Sequence, residues 1–418
     1  MECNSEGFAE CFAWCCRGCP TEKMGMMFGP GGAGKTTLVK ALRLALCEAP
    51  MFSPKERLHF RRIAEANIIE STTILLQQAE IMDGYVELKK SLRLEEIIEK
   101  NWKYITSEQA EIIEAFWESE LCRKIWAQRR DLKVLLNDNT SHFLPIASKI
   151  CIQDNGFADE DFLWVREETK LLTQYELKTN IDTLGTIFIL DQGGQENHQE
   201  EYARKDTKIF RQYADGSHFL FVVIPIGDLL EEERSGSIVK GLRLLNSLLE
   251  TSEKIKDSRS CCPDGISYAN FKNKGIVVIL NKLDKLEMMK VCDKDLADWL
   301  RAAKSHKNCD PWLKNIIESP WLKNIIESRE KAFKAGEKAK VFFTKIVESV
   351  RALHPAYRGK MVVMADSLIS YNENLVGKLK DALVMKTLND LDDFGLIAQI
   401  EPEENKNPIA QLEMSRND

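Results

Sequence analysis

No apolar run in this 418-residue chain approaches the roughly 20 residues that cross a bilayer as a helix, which argues against a transmembrane segment. The opening residues also lack the basic-then-apolar layout of a secretory leader. Together these place the chain in the cytoplasm, where its twelve cysteines are expected to be reduced. No Lys/Arg block or stripe stands out and the net charge is only −7, so nothing supports nucleic-acid binding. Residue 2 is Glu, which excludes myristoylation of a second-position glycine. No second Cys-x-x-Cys accompanies Cys16-x-x-Cys19, which argues against a four-thiolate metal site.

Those cysteines are nonetheless crowded. Cys3, Cys11, Cys15, Cys16 and Cys19 share the first 21 residues with Phe8, Phe12 and Trp14. Two readings stand. Reversible palmitoylation would tether the chain to a membrane surface, firmly with two acyl chains and marginally with one; alternatively the segment is merely a small apolar helix.

The length leaves room for about two or three domains. Met24 to Phe28, Thr186 to Leu190, His218 to Ile224, Gly275 to Leu280 and Lys360 to Met364 read as buried parallel strands, most of them separated by helical patterns. The expected fold is therefore α/β, a doubly wound sheet built from right-handed β-α-β units. Ser53 to about Ala158 has a different texture, charged and periodic without a convincing strand. Ile68, Thr72, Leu75, Ala79 and Met82 lie at helical spacing there, predicting an all-helical insertion. Pro311 to Ser319 is repeated perfectly as Pro320 to Ser328, which reads as a duplication lengthening a surface helix or loop. The polar, proline-containing end from Glu401 is expected to be disordered.

Four motifs carry chemistry. Gly29-Pro30-Gly31-Gly32-Ala33-Gly34-Lys35-Thr36 matches G-x-x-x-x-G-K-[ST], whose glycines let backbone N–H groups curl around phosphates. Lys35 is expected to reach the β- and γ-phosphates, and Thr36 to bind Mg²⁺. Asn281-Lys282-Leu283-Asp284 follows an apolar run, at the carboxyl end of a strand where open α/β sheets bind ligands. The Asp284 carboxylate matches the two donors of guanine and would be left unpaired by adenine. Asp191-Gln192-Gly193-Gly194-Gln195 ends another strand: Asp191 suits a metal-bound water, Gly194 a γ-phosphate contact, and Gln195 the orientation of the attacking water. Arg166-x-x-Thr169 sits where the helical block rejoins the sheet. Thr169 can complete a Mg²⁺ shell, and Arg166 can neutralise charge on the transferring oxygens.

In this order, the motifs resemble those of α subunits of heterotrimeric G proteins, over about residues 22 to 397. Ser53-Pro54-Lys55-Glu56, Leu136-Asn137-Asp138 and the final Phe394-Gly395-Leu396-Ile397 strengthen the likeness. The resemblance implies a Ras-like domain of residues 22–52 and 166–397, a helical domain of 53–165, a Cys-rich segment of 1–21 and a tail of 398–418. It implies a GTP-hydrolysing switch that binds GTP or GDP with Mg²⁺. Arg166 and Gln195 would be catalytic, and Thr36 and Thr169 would hold the metal. The nucleotide would meet Gly29, Gly31, Gly32, Ala33, Gly34, Lys35, Thr36, Thr37, Leu163, Trp164, Val165, Arg166, Thr169, Asp191, Gly194, Asn281, Lys282, Asp284 and Ala365. Expected partners are a βγ dimer, a seven-helix receptor and RGS-type regulators, at the inner face of the plasma membrane.

The chain also departs from the family pattern. Gly32 stands where the family usually has a Glu that pairs with the switch arginine, which implies faster GDP release. Glu196, Asn197, His198 and Gln199 replace the basic residues after Gln195, although Tyr202 keeps an aromatic; this implies weaker locking of the GTP form. A guanine-nucleotide-binding scaffold with impaired switching is the alternative.

Overall fold

The computed structural model describes residues 22–98, 104–129, 131–134, 136–152, 157–167, 173–181, 184–191, 217–230, 236–254, 275–288, 291–305, 310–322, 335–355, 361–369 and 373–384. The cysteine cluster, Thr169, Gly194, Gln195, Glu196 to Tyr202, Phe394 to Ile397 and the tail lie outside the described residues.

Six strands form one sheet: β1 (Glu22–Phe28), β2 (Thr173–Lys178), β3 (Thr186–Asp191), β4 (Phe219–Pro225), β5 (Gly275–Asn281) and β6 (Met361–Ala365), in the order β2-β3-β1-β4-β5-β6. The five apolar runs are its five parallel members. β2 is an addition to the expected set and pairs antiparallel with β3, so the sheet is mixed. Its sequence, Thr-Gln-Tyr-Glu-Leu-Lys, lacks an apolar run because it lies at the sheet edge, with only Leu177 fully buried.

Strand side chains alternate between faces and so feed two cores. Met24, Met26 and Phe28 of β1 pack with the helices Gly236–Lys254 and Ala335–Ala352. Met27 joins the opposite core with α1 (Lys35–Leu46) and the helix Glu373–Val384. The result is helices on both sides of a central sheet.

Among the described residues, the stretch from Pro54 to Leu163 holds helices and no strand. It opens on α2 (Pro54–Ala79), whose N-terminus is fixed by a reciprocal pair: Ser53 accepts from the Glu56 backbone, and the Glu56 side chain accepts from Ser53 N–H. Ile68, Thr72, Leu75 and Ala79 are fully buried along one stripe, as their spacing predicts. This block is tied to α1 by aromatic packing. Phe52 and Phe60 lie 4.5 and 5.2 Å from Phe162, and Lys40 of α1 sits 4.5 Å over the Phe60 ring. Burying rings of this kind contributes about 1.5–3 kcal/mol each.

The tandem repeat is more than surface lengthening. Its first copy forms the helix Pro311–Ile317, and helix restarts at Pro320. Leu313 and Leu322, nine residues apart, are both fully buried in the same core. Nine residues of unbroken helix would turn the second leucine to the opposite face, so the break at Ser319-Pro320 restores its direction.

Candidate functional site

The phosphate-loop motif joins the end of β1 to the start of α1, beside the point where successive strands diverge to either side of β1. Gly34 has φ +99°, and a Cβ there would lie 2.3 Å from Asn281 Nδ2. The asparagine uses that space to donate to the Ala33 carbonyl at 2.8 Å. Glycine is required here both by backbone conformation and by this approach. Asn281 Oδ1 in turn accepts from Leu368 N–H at 3.1 Å, so one buried side chain ties the loops after β5 and β6 to the phosphate loop.

Lys35 turns back on its own loop, donating to the carbonyls of Gly29 (2.8 Å) and Pro30 (3.1 Å). Burial pushes its pKa down to about 8, partly opposed by nearby Asp191. A buried cation bonded to neutral carbonyls, at the head of a helix with no acid in its first turn, suits an incoming polyphosphate. Thr36 Oγ1 donates to Asp191 Oδ2 at 2.6 Å, and Asp191 is fully buried at the end of β3. A hydroxyl and a carboxylate held together beside the lysine are hard oxygen ligands of the kind Mg²⁺ takes. Gly31 and Gly32 are exposed on the loop, Ala33 is buried, and Thr37 is half-buried on α1.

At the other end of the cleft, burial raises the pKa of Asp284, and the Ser367 hydroxyl, donating to Asp284 Oδ1 at 2.5 Å, partly opposes that shift. Ala365 ends β6 opposite Leu280, whose carbonyl accepts from Asp366 N–H at 3.1 Å. Lys282 adopts φ +68°, a strained value for a side-chain-bearing residue, and its ammonium donates to Asp228 Oδ1 at 2.8 Å. Asp138 reaches across from the helical block to Lys282 at 3.0 Å and pairs with Lys285, which also lies 3.5 Å from Asp228. Two lysines and two aspartates thus form one ion-pair cluster beside Asp284, with Asp228 only 2 % exposed.

The Arg166 segment is held by amides of the helical block. Asn67 accepts from Arg166 N–H (3.2 Å) and donates to its carbonyl (3.4 Å). Asn139 Nδ2 donates to Asn67 Oδ1 (2.7 Å) and to the Trp164 carbonyl (2.9 Å). Lys40, whose pKa burial lowers to about 8, donates to the Val165 carbonyl at 3.0 Å. Leu163 and Val165 bury their side chains, so only their backbone could meet a ligand. Trp164 is half-buried and stacks on His142 at 4.5 Å. The Arg166 guanidinium reaches back over the phosphate loop, donating to Asn137 Oδ1 at 2.5 Å. Its Nη2 lies 4.0 Å from where a Cβ on Gly32 would be.

The cleft therefore gathers the phosphate loop, Asp191, Arg166, Asn281, Lys282, Asp284 and Ala365 from segments distant in sequence. Sequence reading gave no role to Lys40, Asn67, Asn139, Asp228, Lys285 or Ser367, because their partners are far away in the chain. In the sequence, Asn137 and Asp138 carry family resemblance but no local sign of their partners. Lys285, immediately after Asp284, was the one local hint.

Residues 22–352 match the G-protein alpha subunit family. The chain is 23 % identical to the guanine nucleotide-binding protein alpha-9 subunit of Dictyostelium discoideum over 259 residues, which cover 62 % of this chain and 68 % of that protein. It is 22 % identical to the alpha-4 subunit of Caenorhabditis briggsae over 193 residues, covering 44 % of this chain and 52 % of that protein. The family match ends before β6, so Ala365 and Ser367 take their place in the cleft from the fold alone. With the match spanning most of the chain and the phosphate and base motifs meeting in one cleft, the chain belongs to the G-protein alpha subunit family.

Proposed function

We propose that this chain is a guanine-nucleotide switch that binds GTP with Mg²⁺ and hydrolyses it to GDP and phosphate. The observation that carries the reading is the Asn281 bridge to Ala33, which fixes the carboxylate loop for the base at a set position relative to the phosphate loop. Lys35 and the loop N–H groups would hold the phosphates, Thr36 and Asp191 the metal end, and Asp284 the guanine edge, oriented by Ser367. Mg²⁺ bound there would neutralise phosphate charge. Arg166 is assigned to stabilise charge on the transferring oxygens. Thr169, Gly194 and Gln195 keep their proposed roles from sequence alone.

The division into a Ras-like domain (22–52 and 166–397) and a helical domain (53–165) is part of this proposal. Switching of the Thr169 and Gly194 segments would pass a signal to a partner. A βγ dimer, a seven-helix receptor and RGS-type regulators follow from family membership, as does an acylated, peripheral position at the plasma membrane. Single-turnover GTP hydrolysis with Gln195→Leu as control tests the enzyme. Hydrolysis that falls at least tenfold in the variant supports it. Equal, negligible rates in both proteins would make the chain a nucleotide-binding scaffold instead.

A further inference from the structure

The Arg166 guanidinium has five N–H donors and no acceptor, so the Asn137 side chain can serve it only through its oxygen. That leaves the Asn137 NH₂ group facing away, where it donates to Glu70 Oε2 at 2.6 Å. An ionised carboxylate accepts and never donates. Glu70 therefore selects the one amide orientation in which Oδ1 faces Arg166, and its charge polarises the amide toward the cation. Flipping the amide would set N–H donors against N–H donors. Asn137 is buried and well placed for this, whereas Arg166 is itself exposed and has a long side chain to order.

We infer that Glu70 is a positioning residue that acts through Asn137 to hold the Arg166 guanidinium over Gly32. The inference rests on the switch reading above and extends it: the acid that Gly32 cannot offer on the phosphate loop is supplied from the helical block, one hydrogen bond removed. Because the contact passes through an amide, Arg166 keeps its remaining donors for phosphate oxygens.

The test compares Glu70→Gln, Glu70→Lys, Arg166→Ala and the double variant Glu70→Lys/Arg166→Ala. A glutamine still accepts from the Asn137 amide, whereas a lysine only donates and turns the amide round. Single-turnover GTP hydrolysis is expected to fall about tenfold in Glu70→Lys, in keeping with loss of a hydrogen bond to a charged group. In Glu70→Gln it should stay within about threefold of wild type, with GDP affinity little changed in both. In the Arg166→Ala background, Glu70→Lys should cost nothing further. Wild-type rates in Glu70→Lys, or the same loss with and without Arg166, would overturn the inference.

A second readout does not need catalysis. The Arg166 guanidinium resonances of the GDP-bound full chain, labelled at arginine nitrogen, should show restricted rotation in wild type and Glu70→Gln and rotational averaging in Glu70→Lys. Averaging already in wild type would refute the positioning role. If instead wild type fails to hydrolyse GTP while its guanidinium is restricted, the enzyme reading fails and the positioning stands.

Discussion

Beside Asp284, Asp138 of the helical block meets Lys282 and Lys285 above the buried Asp228. At the phosphate loop, the Arg166 guanidinium bonds the neutral amide of Asn137 above a glycine, and the Asn67 amide bonds the Arg166 backbone. The physical difference is large. Opening the Asp138 end would break its ion pairs with two mostly buried lysines, a costly loss in a poorly solvated place. Parting the block from Arg166 breaks neutral amide bonds from Asn137 and Asn67, which water can replace. The two blocks are thus clasped by ion pairs beside Asp284 and joined by neutral amide bonds at Arg166, with aromatic packing on α1 as a third tie. A block that opens is therefore expected to loosen at the Arg166 amides before it loosens at the ion pairs.

The largest effect should come from the base end itself. Asp284→Asn offers an N–H where guanine needs an acceptor, and is expected to lower GTP affinity about 100-fold, measured by equilibrium binding. A loss below about threefold would remove Asp284 from the site. Next is Asp138→Ala, which should speed GDP release about tenfold; a fully buried pair would give more, but the Asp138 side chain is 28 % exposed. Asn137→Ala, which removes one neutral amide bond, should change release less than about threefold. Similar acceleration by both variants would erase the proposed asymmetry.

Adding the missing acid sharpens the contrast. Gly32→Glu would face Arg166 and should slow GDP release by a few-fold, the ion pair being partly offset by about 1 kcal/mol of strain at φ +70°. Unchanged or faster release would show that the phosphate end does not govern exchange.

The smallest effect is protonic. Phosphates should raise the pKa of Lys35 from about 8, so nucleotide binding near pH 8.5 should take up a fraction of a proton. The sign follows from the bound state having the higher pKa. Affinity is then fully present below about pH 8 and is lost as pH rises through the bound-state value. Calorimetry in buffers of different ionisation enthalpy measures the uptake, which should survive in Lys40→Met because Lys40 bonds the Val165 carbonyl instead.

Much of this molecule was legible in its sequence for a physical reason. The phosphate loop, the five apolar strands and the stripe of α2 are local patterns that backbone geometry imposes on neighbouring residues. β2 escaped because an edge strand needs little apolar surface, and its one buried residue, Leu177, makes no pattern. The clasp and the Arg166 amides escaped because Asp138 and Lys285, or Asn67 and Asn139, become neighbours only when distant helices and loops pack. The nine-residue repeat shows the opposite case: its identity is plain in the sequence, but the break that returns Leu322 to the core is a property of the fold.

Asn281 ties the Asp284 loop to the phosphate loop, and the pocket so formed is expected to select guanine. The most direct test is displacement of a fluorescent GDP from the full chain, with Mg²⁺, by GTP, GDP, ATP and ADP. Displacement by GTP and GDP at concentrations at least 100-fold below those needed for ATP and ADP is the expected result. Equal displacement by adenine nucleotides, or no nucleotide bound at all, would contradict the account.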